Sequence, residues 1–201
     1  MLARLVFMLG SLVPWCPVAA GDLLELNVTD ARGVYRIDAE VIVRAPFEQV
    51  WQVLTDYIHI YRLNDSIIES EILPSPVNNS VRVRTLMNDC VFVFCFEIER
   101  VEDVRITDTG HIKAIVVREL SNVRSGDASW RIRPAGTDTY IRYTGTIEPG
   151  FAVIPVVGNY LVRKQLRKQM MLTLDKIEHI SQINAELGIK PEPGIMASTL
   201  P

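Results

Sequence analysis

From Val34 onward the chain alternates apolar and polar positions with few interruptions. Tyr35, Ile37, Ala39, Val41 and Val43 fall on one side, and Arg36, Asp38, Glu40 and Arg44 on the other, which predicts a half-buried strand over 34–45. Pro46 then opens a helix at its favoured first-turn position, and Phe47, Val50, Trp51 and Leu54 recur at helical spacing, so a short helix is expected over 46–57. Residues 57–66 read as irregular or briefly helical. Strand patterns return over 67–73 and 81–86, separated by the turn-forming run 74–79, and Asn88-Asp89 predicts a second turn. A long strand over 90–101 then sets Phe92, Phe94, Phe96 and Ile98 on one face. Further strands are expected over 111–119, 128–134 and 139–147, the last two joined by a hairpin turn at 135–138. Finally, residues 155–187 carry an apolar stripe through Val162, Leu166, Met170, Leu174, Ile177 and Ile180, which predicts one long helix capped by Gly188.

The element order is therefore a strand, one or two short helices, about six antiparallel strands and a long terminal helix. One face of such a sheet is apolar and needs cover, and only the last helix is long enough to supply it. A curved sheet closing around one helix leaves a space between the two. That is an α+β domain over 34–187, and residues 188–201, with three prolines and no apolar period, read as a disordered tail.

The first 20 residues have a different character. Arg4 is the only charge; Leu5 to Val18 is an uncharged apolar run; Val18 and Ala20 put small side chains at the −3 and −1 positions of a cleavage site. This is the pattern of a signal peptide cleaved near Ala20. A membrane anchor is the rival, but the run is 14 residues where a span needs about 20, and Pro14 and Pro17 interrupt a helix there. Export, to a periplasm or to the outside, is expected. The net charge is −3 for the whole chain and −4 once Arg4 leaves with the leader, which argues against nucleic acid as a partner.

Cys90 and Cys95 are the cysteines left after cleavage. Export favours a disulfide between them. An extended strand resists it, since five steps span about 16 Å and a disulfide wants Cα atoms within about 7 Å. Two small buried thiols are the alternative, and both readings stand at this point.

The chain resembles the START-like superfamily, also called the polyketide cyclase/SRPBCC or helix-grip fold, and most of all its coenzyme Q-binding branch. The residues that carry the resemblance are Val41 to Trp51, Leu54-Thr55-Asp56-Tyr57, Trp130 to Pro134 with Gly136-Thr137, and Pro149-Gly150-Phe151 with Pro155 to Gly158. It implies a curved antiparallel sheet wrapped around the C-terminal helix, enclosing a site for a lipid, quinone or similar apolar molecule. It also implies that Trp51, Phe92, Phe94, Phe96, Trp130, Tyr143 and Tyr160 shape a ligand cavity.

A binding or carrier role without catalysis is the leading expectation, with no cofactor. A cyclase/aromatase-like enzyme is the alternative, and it requires Glu69, Glu119 or His111 to point into the cavity. Arg163, Lys164, Arg167 and Lys168 form a basic stretch of the last helix that could rest on an anionic membrane surface. Arg124 and Asp127 flank Ser125-Gly126, where an arginine could meet a polar head group. His59, His111 and His179 lie far apart and show no metal-binding or nucleophile spacing.

Overall fold

The computed structural model describes residues 22–91, 94–150 and 157–189. Eight strands form one antiparallel sheet: β1 (Asp22–Ala31), β2 (Val34–Val43), β3 (Ile67–Leu73), β4 (Val81–Val91), β5 (Phe94–Asp108), β6 (His111–Val116), β7 (Ser125–Ala135) and β8 (Asp138–Glu148). The spatial order is β1-β2-β8-β7-β6-β5-β4-β3. Helix α1 (Phe47–Thr55) and a 3-10 segment (Tyr57–Leu63) carry the chain from β2 to the far edge at β3; the meander then returns until β8 pairs with β2. Helix α2 (Val157–Glu186) covers the concave face.

The alternation in the sequence governs which side of each strand is inside. Tyr35, Ile37, Ala39, Val41 and Val43 of β2 are all buried, as are Ile141 of β8 and Ile132 of β7. On α2 the buried apolar residues are Val162, Met170, Leu174 and Ile177, with Leu166 and Ile180 packed at the margin of the core. The helix ends as Gly188 enters the left-handed region at φ 63°. The Gly188 and Ile189 N–H groups close back on the carbonyls of Ala185 and Asn184, a Schellman end. Ile189 is held further by Gln49, whose amide donates to its carbonyl at 2.9 Å.

Three expectations need correction. The domain begins before Val34: Asp22–Ala31 is an edge strand in register with β2, and Val28 is buried. Its apolar positions Leu24, Leu26 and Val28 alternate with Glu25, Asn27 and Thr29, and only Leu23 falls out of phase, where the register shifts between Leu23 and Glu25. Second, Asn88-Asp89 is not a turn. Strand β4 runs through it to Val91, because Asp89 faces inward and finds hydrogen-bond donors on α2. Val91 of β4 pairs with Phe94 of β5, so the expected strand over 90–101 is divided between two antiparallel strands. Third, β5 runs on past the expected strand end at Val101 to Asp108, and the chain turns at Thr109-Gly110 into β6. Gly110 has φ 86°, and a Cβ there would run into the Ile132 carbonyl oxygen.

Cys90 and Cys95 stand directly opposite each other in the β4/β5 register, with Cα atoms 4.0 Å apart, and are joined as a disulfide. The hairpin removes the geometric obstacle that a single extended strand would impose.

Candidate functional site

A cavity of about 230 Å³ lies between α2 and the sheet. Its cause is visible in the register. Ala114 of β6, Ala128 of β7 and Gly145 of β8 are cross-strand partners, and all point inward. The adjacent row is Ile112, Trp130 and Tyr143. A row of three small residues beside a row of large ones leaves a trough in the sheet floor, and α2 roofs it with Leu166, Gln169, Met170 and Thr173. A smaller lobe of about 70 Å³ shares Ile37, Arg100, Glu102, Ala128, Tyr143 and Leu166 with the main space and reaches Gly126 and Gly145.

Most of the wall is aliphatic, but one end is not. Arg100 and Glu102 sit two apart on β5 and so point the same way, into the cavity. Arg100 Nε lies 3.2 Å from Glu102 Oε2, close enough for an ion pair but not aligned for a hydrogen bond, and among the described residues this buried N–H has no hydrogen-bond partner. Their side chains are 27% and 15% exposed. Tyr143 leans back over Gly145 so that its hydroxyl fills the place a Cβ would take. Its ring packs against Trp130 with centroids 4.5 Å apart. Burial pushes the Tyr143 phenol up to about 12, against a smaller opposing pull from Arg100. It therefore stays a hydrogen-bond donor at neutral pH.

Two further polar atoms near the cavity are buried without a partner among the described residues: the Tyr57 hydroxyl and Gln169 Oε1. Burial raises the Tyr57 phenol well above its ordinary value. Such orphaned groups are costly in a filled core and ordinary in a site that receives a ligand.

The raised phenol makes a pH prediction. Between pH 10 and about pH 12 the unfolded chain loses the Tyr143 proton while the folded chain keeps it. The folded state then binds more protons, so stability falls as pH rises through that window. Tyr143→Phe should remove a loss of about 3 kcal/mol over that interval, read as the difference between the two proteins' urea unfolding profiles.

The residues expected to shape the cavity divide. Trp130 and Tyr143 line it. Phe96 lines a separate space of about 60 Å³ with Ile98, Val162 and Leu166. Phe92 lies outside the described residues, as does the side chain of Phe94. Trp51 does not line the cavity: it stacks on Phe47 with centroids 6.0 Å apart, at the flank of α1, whose buried face is Val50, Val53 and Leu54. Tyr160 is 58% exposed, because two helical residues turn it about 200° away from Val162.

The basic stretch of α2 also divides. Arg163 pairs with Asp30 at 2.7 Å, and Arg167 donates to the Leu26 carbonyl at 2.8 Å, so both fasten α2 to the edge strand β1. Lys164 and Lys168 are exposed. Arg124 pairs with Glu148 at the surface, and Asp127, at the small lobe, accepts the Thr146 hydroxyl.

None of the carboxylates or histidines named for catalysis enters the cavity. Glu69 binds Arg84 on the outer face, together with Glu71 and Glu99. Glu119 lies in a short 3-10 turn (Arg118–Leu120) with no buried residue. His111 is buried on the outer side of the sheet, between the Thr107 and Ser129 hydroxyls at 2.9 and 3.0 Å. His59 is bound to Asp56 at 2.8 Å, away from the cavity, and His179 is exposed. Among the described residues no group of three metal-ligating side chains comes together.

A family model described as polyketide cyclase / dehydrase and lipid transport matches residues 35–179. The chain belongs to that family. No curated protein matches it. Solved structures similar to this member of the polyketide cyclase / dehydrase and lipid transport family include the Zhui aromatase/cyclase from Streptomyces sp. R1128, 14% identical, with TM-score 0.64 over 78% of this chain and 99% of that one. The STAR-related lipid transfer protein from Xanthomonas axonopodis is 14% identical, with TM-score 0.55 over 76% of this chain and 98% of that one. Human STARD10 is 13% identical, with TM-score 0.57 over 88% and 82%. At these identities the likeness is one of fold, the START-like helix-grip arrangement of the SRPBCC superfamily.

Proposed function

We propose that this protein binds and carries a neutral apolar small molecule bearing a carbonyl or hydroxyl group, held between α2 and the sheet. The observation that carries the reading is a largely aliphatic cavity with one polar end. There Arg100 has an unspent N–H and Tyr143 a protonated hydroxyl. Two donors favour an acceptor oxygen. Glu102 disfavours a ligand carboxylate, since a second anion beside it would be repelled at low dielectric. At about 230 Å³ the main space is smaller than most small-molecule sites, which suits one ring system or a short chain.

The ligand is one met outside the cytoplasm. The basic, apolar and small-residue order of residues 1–20 supports export, and so does a solvent-exposed disulfide, which persists in oxidising compartments. Cleavage after Ala20 leaves β1 intact. Among the described residues no helix is long and apolar enough to cross a membrane. A transient membrane contact is supported less by the basic stretch of α2, half of which is engaged by β1, than by exposed apolar residues on the elements bordering the cavity. These are Ile58 and Tyr61 of the 3-10 segment, Ile68 of β3, and Met171 and Leu172 of α2.

The test is titration with a neutral naphthyl ketone fluorophore. Arg100→Met should weaken its binding by about tenfold, the size of one lost charge-assisted hydrogen bond, with little change for the matching hydrocarbon. Equal losses for both probes would remove the polar end from the account. The enzyme reading keeps one specific support: Arg100, Glu102 and Tyr143 are titratable and converge inside the cavity. Under it, a bound ketone would be recovered chemically altered, and Glu102→Gln would stop the change without preventing binding.

A further inference from the structure

Hydrogen bonds fasten α2 across the open side of the sheet along two lines. Towards β1 and β2 they join Asp30 to Arg163, the Leu26 carbonyl to Arg167, and the Arg44 N–H to Glu178. On the opposite side they join Asn64 to Thr173, Ser66 to Gln169, and Asp89 to both Gln165 and Gln169. Asp89 is the hub of this second line. Its Oδ1 accepts Gln165 Nε2 at 2.6 Å, Gln169 Nε2 at 3.1 Å and the N–H of Cys90 at 2.9 Å. Cys90 is half of the disulfide that closes the β4/β5 hairpin, and both cysteines are exposed.

We infer that the Cys90–Cys95 disulfide is a redox-sensitive fastening for α2, acting through Asp89 on Gln165 and Gln169. A bond that closes so short a loop constrains the unfolded chain little, so its effect is local. What it holds is the end of the hairpin, and with it the position of Asp89. Its exposure admits a dithiol reductant. The reductant's thiolate attacks one sulfur to give a mixed disulfide, and its second thiolate displaces the protein. Cys90 and Cys95 end as thiols with two electrons and two protons gained, and the reductant ends as a disulfide. The hairpin end is then free to fray, the Cys90 N–H moves off Asp89, and the two glutamines lose their shared acceptor. Gln169 is a wall of the main cavity, so the change reaches the roof of that space.

Hydrogen exchange on the full chain tests this without any ligand. With dithiothreitol, amides of residues 165–173 should exchange about tenfold faster or more, the scale of one charge-assisted hydrogen bond lost, while those of β7 and β8 stay unchanged. Asp89→Ala should show the same acceleration while oxidised, and reduction should add nothing to it. Equal exchange in both redox states, acceleration spread over every strand, or an Asp89→Ala protein that still responds to reduction would each overturn the inference.

Discussion

A chain carrying Ala128→Trp is expected to fold and to bind no apolar ligand. Ala128 is the middle of the small-residue row, partnered by Ala114 on one side and Gly145 on the other, and it lines both lobes of the cavity. An indole there occupies the space left open over Ala114 and Ala128. Overpacking costs about 1–3 kcal/mol, which a domain with about 5–15 kcal/mol of stability survives. Fluorophore binding should fall by at least about a hundredfold with the thermal transition retained. Ala128→Ser, which adds little volume, should bind nearly as the parent does. A tryptophan variant that binds normally would mean that the ligand sits elsewhere.

The largest stability effect is expected at Ile177. It is fully buried on α2 and belongs to the same core as Met170 and Leu174. Ile177→Ala should cost about 2–5 kcal/mol from lost burial and the void left behind, a fall in Tm of roughly 10 °C for a domain of this size. Met171, six residues earlier and half exposed, should tolerate alanine within about 0.5 kcal/mol. Urea midpoints measured on both variants separate the gripping face of α2 from its outer face.

Much of this architecture is legible in the sequence because period-2 and period-3.6 patterns decide which side of an element faces the core. The inward faces of β2, β7 and β8 and the buried stripe of α2 follow from alternation and helical spacing alone. The same arithmetic excludes Tyr160 from the cavity, since it lies across the helix from Val162. Arg100 and Glu102 are also within reach of it. They continue the even-numbered face of Phe96 and Ile98, yet charged residues at the end of an apolar run read as a strand boundary rather than as the polar end of a pocket.

The trough itself is not legible. Ala114, Ala128 and Gly145 are unremarkable one at a time and become a feature only when three strands are set in register. The hairpin at Cys90–Cys95 is hidden for a similar reason. Asn88-Asp89 has the local chemistry of a turn, and only the glutamines of α2, some 75 residues on, make an inward aspartate acceptable there. Strand β1 carries only a short alternation, Leu24, Leu26 and Val28, and as an edge strand it buries Val28 alone, so its signal is weak.

The central claim is that the space beneath α2 holds a neutral apolar molecule. Native mass spectrometry of the gently purified protein, beside its Ala128→Trp variant, tests it most directly. The predicted result is a second mass in the parent, released on denaturation as a neutral compound with a carbonyl or hydroxyl group, and the bare polypeptide mass in the variant. A parent that carries no adduct and takes up no apolar probe when one is offered would contradict it.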